Sequence, residues 1–352
     1  MATEADRYYY RQMNKEEQSA YHAMREGFIS LSQQIIVPAL PMKTLASIFF
    51  RLRLDDPWIF YVETFSCRHA QGADSMQLIP SYIYDRKKIP EHQKALKSRV
   101  ARLVRQAAGL KSDQEKELFI HDFICEHVTY DKLKKSYSHE ITGPLQQGVS
   151  VCEGIAKTVK VLCDELKIPC IIALCDSDPE HGYKYRHVWN VIKIQGKWYH
   201  MDATFDNSLG RYGMKRYDYF NLDDKWNFRD HRPVMHPVPA CTDGASFYYK
   251  VNRLSLTKIE DVEKRLQTAI RKKQAHYIFH WRGGYLTKEV LLEIVKKAEE
   301  VASAKDKYLT MSFNWPQAVI AFHLYDSASE LPERILAEQA DESDAEEKSE
   351  QT

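Results

Sequence analysis

The residue of this sequence that could most readily act as a nucleophile is a cysteine, Cys152, in the stretch GVSVCEGIAKTVKVLCDEL. Most free cysteines behave as small apolar side chains. A nucleophilic cysteine must instead be a thiolate at working pH, which an adjacent base or the N-terminus of a helix favours. We expect Cys152 in the first turn of a helix, where unpaired N–H groups and the helix dipole stabilise an anion, and Cys163 in the core. The apolar residues that predict this helix are Ile155, Ala156, Val159, Leu162 and Cys163.

A histidine and an aspartate that could serve this thiol lie on a predicted β-hairpin, RHVWNVIKIQGKWYHMDATFD. If Gln195 and Gly196 form a two-residue turn, Trp189 faces Asp202 across the hairpin. Because side chains alternate along a strand, His187 then lies on the same face as Asp202, at a diagonal of about 7–8 Å between backbones. A carboxylate that orients an imidazole, whose other nitrogen takes a thiol proton, is the arrangement that a thiol enzyme needs. A longer turn or a bulge would change this register.

Other side chains near the hairpin compete for the same site or could add to it. His181 and His200 are rival bases, although His200 lies nearer the turn. Trp189 belongs to a group of hairpin aromatic residues that is typical of sheet packing, and it could also wall a substrate cleft. Tyr185, on the loop before the histidine, could shape the rim of that cleft.

The elements that must position these residues belong to an α+β fold in four regions. Residues 1–90 are predicted to form an N-terminal α+β segment, and residues 91–245 the catalytic core with the cysteine helix and the hairpin. Residues 246–330 alternate between helix and strand in a small α/β module. Residues 331–352 form an acidic, apolar-poor tail that we expect to be disordered.

Shorter patterns predict individual elements. Asn14, with Glu17 three residues later, resembles a capping box and predicts a helix start. WIFYVETF and MQLIPSYIY are rich in aromatic and β-branched residues and predict two strands. In the C-terminal module the pattern predicts two helices and three strands, over residues 258–273, 276–281, 288–303, 307–313 and 318–325.

The composition excludes several classes of function. The chain has 352 residues, with 50 Lys+Arg against 49 Asp+Glu, so that no basic field recruits nucleic acid or anionic lipid. No apolar run approaches the ~18 residues of a membrane span, and the N-terminus lacks the apolar core of a signal peptide. The cysteines are odd in number and form no C-x-x-C pair, which predicts thiols in a reducing, cytoplasmic compartment and no zinc site.

Three ordered motifs resemble the transglutaminase-like superfamily, in particular its microbial members with a papain-like cysteine site. VCEGIAKTVKVLCDELKIPC is similar to the cysteine-helix motif, RHVWNVIKIQGKWYHMDATFD to the motif that carries the histidine and the aspartate, and YDYFNLDDKW to the Tyr-Phe segment that commonly follows. The upstream IHDFICEHVTYD also fits, so that the resemblance covers residues 90–230. It implies a papain-like core in which the cysteine helix packs on an antiparallel sheet. The implied roles are nucleophile for Cys152, base and then acid for His187, and orienting group for Asp202.

The resemblance also implies a reaction. The thiolate attacks a carboxamide or peptide carbonyl of a peptide or protein substrate, and the resulting thioester is hydrolysed by water or captured by an amine. The oxyanion needs two donors, for which the backbone N–H of Cys152 and the side chain of Gln146 or Gln147 are candidates. We expect cysteine-peptidase-type hydrolysis without cofactor or metal, since no amine-donor site and no calcium-binding loop can be identified. Transamidation by the same triad and a non-catalytic peptide-binding scaffold are the alternatives.

Overall fold

A computed structural model of the chain describes residues 7–178, 180, 186–210 and 214–332. It divides into two compact units, of which the first ends at Gly244 and the second begins at Ala245. Mixed helices and antiparallel sheets confirm the predicted α+β class. Two residues predicted near the site, His181 and Tyr185, lie outside the described residues, as do residues 333–352 of the predicted tail.

The first unit begins with two helices and a small sheet. Asn14 caps the first helix as predicted: its side chain accepts the backbone N–H groups of Glu16 and Glu17, and Glu17 reaches back to the N–H of Asn14. The three strands form an antiparallel sheet of order β1-β3-β2. The elements are α1 (Lys15–Ile29), β1 (Ile35–Pro38), α2 (Met42–Asp55), β2 (Val62–Arg68) and β3 (Ser75–Tyr82).

The strand prediction for WIFYVETF is only partly right. Strand β2 begins at Val62, because the preceding residues turn the chain after α2. Ile59, Phe60 and Tyr61 are buried in these turns. The same apolar residues that indicate a strand therefore fill the core from an irregular segment.

The rest of the first unit is a four-stranded antiparallel sheet with helices around it. The strand order is β6-β7-β8-β9, and α5 packs on β6 and β7, which is the predicted packing of the cysteine helix on the sheet. The elements are α3 (Ile89–Ala107), α4 (Asp113–His127), β4 (Thr129–Tyr130), β5 (Val149–Ser150), α5 (Cys152–Glu165), β6 (Cys170–Cys175), β7 (His187–Ile194), β8 (Lys197–Met201), α6 (Ala203–Leu209), β9 (Phe220–Leu222) and α7 (Asp224–Asn227).

The hairpin of β7 and β8 has the predicted register. Val191 pairs with His200, and the loop consists of Gln195 and Gly196. Their φ angles are 51° and 83°, which matches a type I′ turn, whose twist suits the flanking strands. Asp202 directly follows β8, on the face that carries His187.

The second unit is a four-stranded sheet of order β10-β11-β13-β12, with two longer helices that pack on each other. Strand β10 is parallel to β11, and the remaining pairs are antiparallel. The predicted helices and strands of this region are confirmed with small shifts at their ends. The elements are α8 (Tyr248–Val251), β10 (Ser255–Leu256), α9 (Ile259–Arg271), β11 (His276–Trp281), α10 (Lys288–Ser303), β12 (Tyr308–Asn314) and β13 (Val319–Tyr325). In the part of the chain that the structure describes, no helix combines the length and apolar character that a bilayer span requires.

Candidate active site

Cys152 is the first residue of α5 and is partly exposed. The chain reaches it through β5, where Ser150 pairs with Tyr130 of β4 and its carbonyl accepts the N–H of Asp131 at 2.8 Å. The side chain of Ser150 donates to the carbonyl of Ser138, also at 2.8 Å. The sulfur therefore lies at the N-terminus of a 14-residue helix, where the dipole favours an anion.

Gly154 lets the first turn of α5 approach the segment before it. A Cβ on this residue would lie 2.4 Å from the carbonyl oxygen of Ser138 and 2.3 Å from the hydroxyl of Ser150. Any side chain at this position would push the helix start away from the segment that holds it. The glycine therefore contributes to the placement of Cys152.

His187 and Asp202 are in direct contact, as the hairpin register predicts. The imidazole Nε2 lies 2.5 Å from Oδ2 of Asp202, whose side chain is 1% exposed. The other oxygen of Asp202 accepts the backbone N–H groups of Thr204 and Phe205, which caps α6. The carboxylate is thus fixed by a helix start, and it fixes the ring in turn.

The electrostatic interactions of His187 and Asp202 favour a protonated imidazole and an ionised carboxylate. Burial lowers the pKa of His187, but the Asp202 carboxylate and the nearby Cys152 sulfur raise it by more, so that it lies well above its ordinary value. Burial raises the pKa of Asp202, but the two imidazoles of His187 and His231 outweigh it and hold that pKa far below the usual range. Since Nε2 of His187 is taken by Asp202, Nδ1 is the ring nitrogen left for the sulfur.

A family model described as the transglutaminase-like superfamily matches residues 101–203, a range that contains Cys152, His187 and Asp202. This part of the chain is similar to the transglutaminase-like superfamily. The match begins within α3 and ends at the start of α6, so that the transglutaminase-like core comprises the cysteine helix and the hairpin.

Three solved structures are similar to part of this chain. They are a TGase (14% identity, 41% of this chain, TM-score 0.28), a protein inferred to be a cysteine protease from Cytophaga hutchinsonii (16%, 41%, 0.27) and a protein inferred to be a protease from Parabacteroides distasonis (13%, 40%, 0.25). The similar regions span 44%, 62% and 36% of those chains. A search among curated proteins found no match.

Sequence reasoning missed a second histidine that contacts Asp202. His231 places Nε2 at 3.0 Å from Oδ2 of Asp202, the same oxygen that contacts His187, and Nδ1 at 2.9 Å from Oδ1 of Asp230. Its side chain is fully buried. Burial lowers the pKa of His231, and the two carboxylates raise it above its ordinary value. The Asp-His dipeptide is visible in the sequence, but no periodic pattern connects it to the hairpin.

The rival base His200 is held by other partners. Its Nδ1 accepts the indole N–H of Trp189 at 2.9 Å, and its Nε2 lies 2.8 Å from Asp224. Because an indole only donates, Nδ1 carries no proton, and the ring is neutral with its N–H directed at Asp224. Burial also lowers the pKa of His200. Trp189 is 1% exposed and stacks on His187 at 6.0 Å between ring centroids. It therefore packs against the imidazole and has little exposed surface that a bound molecule could contact.

The predicted oxyanion donors lie on the loop before Cys152. Gln146 and Gln147 are exposed, in a π-helical turn that ends at Gly148 with φ of 66°. Tyr130, which sequence reasoning also missed, lies near the sulfur. Burial raises its pKa to about 12, with further contributions from Cys152 and Asp202. Its side chain is thus a neutral phenol at one side of the candidate site.

A cluster of charged side chains contacts the first two turns of α5. Lys157, which is fully buried, donates to Glu140 at 2.9 Å and pairs with Glu153 at 2.7 Å. Arg53 of α2 pairs with Glu140 and lies 3.7 Å from Glu153. His139 contacts Glu153 at 3.1 Å. The residue after the candidate nucleophile is therefore tied to both the preceding loop and the N-terminal segment.

Within the described residues, two clusters bring three potential metal ligands within 4.8 Å of one another. Zinc bonds of about 2.0–2.1 Å at tetrahedral angles would place ligand atoms roughly 3.3 Å apart. The nitrogen–oxygen distances in these clusters are 2.5, 3.0 and 2.8 Å, which are shorter than that spacing and lie in the range of hydrogen bonds. The side chains of the first cluster, His187, Asp202 and His231, form a hydrogen-bond network. In the second cluster His200 contacts Asp224, which also accepts the backbone N–H of Cys241 at 3.0 Å.

Proposed function

We propose that the chain catalyses thiol-dependent acyl transfer on peptide or carboxamide bonds, with Cys152 as nucleophile, His187 as acid–base and Asp202 as orienting group. The observation that carries this proposal is the 2.5 Å contact between His187 and Asp202, which leaves Nδ1 of the ring for a cysteine at a helix N-terminus. The match of residues 101–203 to the transglutaminase-like superfamily supports the same assignment.

The proposed reaction follows from these positions. The Cys152 thiolate forms a bond to the carbonyl carbon, and the backbone N–H of Cys152, with a second donor, stabilises the oxyanion. His187 gives its proton to the leaving nitrogen, the C–N bond breaks, and a thioester remains. His187 then takes a proton from water, the hydroxide attacks the thioester, and the thiolate leaves. Asp202 stays ionised and stabilises the imidazolium in both steps.

Hydrolysis is the outcome that we propose, because water needs no binding site of its own. An amine that reached the same thioester would give transamidation. A panel of glutamine peptides and unmodified peptides, with and without an amine donor, separates the two products by mass spectrometry. Incorporation of the amine without net hydrolysis would favour transamidation over the proposed outcome.

The first test is the reactivity of the thiol. With iodoacetamide at neutral pH, we expect Cys152 to be alkylated at least ten times faster than Cys67, a matched control that is also partly exposed and whose pKa is raised by burial. We expect His187→Ala to slow alkylation of Cys152 about 100-fold and to leave Cys67 unchanged. Site-resolved mass spectrometry measures both rates. Equal rates at the two cysteines would contradict the proposal and favour a scaffold.

A further inference from the structure

We propose that His231 is a positioning residue of this site, which acts as a fixed imidazolium between Asp202 and Asp230. This inference rests on the proposed function of Cys152, His187 and Asp202 and adds a fourth side chain to it. His231 touches neither the sulfur nor, in the proposed reaction, the substrate, and it acts through Asp202.

The hydrogen-bond partners of His231 determine its charge. Both ring nitrogens face carboxylate oxygens, at 3.0 Å for Asp202 and 2.9 Å for Asp230. An ionised carboxylate only accepts hydrogen bonds, so that each ring nitrogen must carry a proton. A neutral imidazole would leave one nitrogen lone pair directed at a carboxylate in a buried place. His231 is therefore doubly protonated, in contrast to the neutral ring of His200.

The surroundings of His231 fix this arrangement. Among the described residues, the titratable groups around the ring are Asp202, Asp230, His187, Tyr219 and His200. The hydroxyl of Tyr219 donates to the second oxygen of Asp230 at 2.5 Å, which holds that carboxylate in place. The rings of Trp189 and Phe205 lie at 4.8 Å and exclude water from the sides. In such surroundings a charge acts over several ångströms with little screening.

The consequence for the site is electrostatic. His231 shares Oδ2 of Asp202 with His187, and the two rings are 5.5 Å apart. The positive charge of His231 therefore opposes protonation of His187 and favours the thiolate of Cys152. It keeps Asp202 from holding the proton on His187 too strongly, so that His187 can release it to a leaving group.

The charge of His231 can be tested without any activity. In ¹⁵N-histidine NMR spectra at pH 7, we expect a ring with two protonated nitrogens that disappears in His231→Gln. Asp230→Asn should convert that ring to a neutral tautomer, since the amide can donate to Nδ1. A neutral His231 in the unsubstituted protein would overturn the inference and would leave the proposed function of Cys152 untouched.

The effect on the site is tested by the pH dependence of Cys152 alkylation. We expect His231→Gln to move the whole profile up by about 1 pH unit, because a positive charge is lost near both Cys152 and His187. Asp230→Asn should move it in the same direction by less. His200→Gln is the matched control: it replaces a buried but neutral ring, so that its profile keeps the original midpoints even if the rate falls.

Two results would oppose the inference. A lower alkylation rate at every pH with unchanged midpoints in His231→Gln would show a merely structural role and overturn it. A His200→Gln profile that moves as far as that of His231→Gln would overturn it as well. If unsubstituted Cys152 reacts no faster than Cys67, the proposed function fails, and the NMR result alone decides whether His231 is the fixed imidazolium described above.

Discussion

At the scale of single residues, the Asp202 carboxylate both contacts two imidazole rings and caps a helix. One oxygen contacts His187 and His231, while the other caps α6 through two backbone N–H groups. The ring that would do chemistry and the helix that follows the hairpin are therefore oriented by one carboxylate. The low pKa of Asp202, caused by the two imidazoles against the effect of burial, keeps it ionised throughout the physiological range.

We expect Asp202→Asn to lower the alkylation rate of Cys152 by about 100-fold or more, because an amide does not stabilise the imidazolium of His187. Asp223→Asn is the matched control, since Asp223 caps α7 in the same way but contacts neither histidine in the described structure. Alkylation kinetics and a thermal melt of both variants separate loss of reactivity from loss of a cap. Equal reactivity of the two variants would contradict the role assigned to Asp202.

At the scale of elements, α5 owes its position to close backbone packing. The charged cluster of Lys157, Glu140 and Glu153 fixes one side of its first two turns. Gly154, three residues before Lys157, lets the same face approach the turn of residues 136–139. The place of Cys152 is thus determined by the packing of this helix face and not by the sulfur itself.

Gly154→Ala should destabilise the fold by about 2 kcal/mol or more, because the added Cβ would overlap the carbonyl of Ser138 and must displace the helix start. We expect alkylation of Cys152 to slow in the same variant. Gly109→Ala provides the control, since a Cβ there has no atom within 4 Å and the residue has no positive φ. Urea denaturation measures both variants, and an unchanged midpoint for Gly154→Ala would argue against this packing.

At the scale of the whole molecule, several buried carboxyl groups resist ionisation. Burial raises the pKa of Glu117 to about 8 and that of Asp55 and Asp206 to about 6. One oxygen of Glu117 accepts a hydrogen bond from Asn221, and the other has no partner among the described residues. Because these groups bind protons more tightly when folded than at their unfolded pKa of about 4, their contribution is complete at acid pH and declines as the pH rises.

Glu117→Gln removes the largest of these contributions. From about pH 4 to pH 8 the unfolded state releases the Glu117 proton before the folded state does, so the unsubstituted protein loses stability over that window. We expect the free energy of unfolding of the variant, relative to the unsubstituted protein, to rise between pH 5 and pH 8 and then to level off. Urea titrations at several pH values check this, with exposed Glu91→Gln as the control. A constant difference would contradict the buried, protonated state.

The parts of this site that follow from local sequence were predictable. The Gln195–Gly196 turn fixes the hairpin register by itself, and the register brings His187 to Asp202. His231 was not predictable in this way, because it reaches Asp202 from an irregular segment after α7. The burial of individual side chains was also not predictable, because the aromatic pattern of the hairpin does not tell whether Trp189 lines a cleft or packs against the His187 ring.

The ion pairs of Arg53 have a consequence for how far the transglutaminase-like core can be separated from the residues around it. The family match begins at residue 101, yet Arg53 neutralises Glu140 next to α5, and Tyr9 donates its hydroxyl to the carbonyl of Ile172 at 2.5 Å. A fragment cut at the boundaries of the family match would keep Cys152, His187 and Asp202 and lose these contacts. It would leave the buried Glu140 and the partly buried Glu153 to share Lys157. The region that matches the family model is thus smaller than the compact unit that contains it, and we expect such a fragment to be less stable than the whole chain.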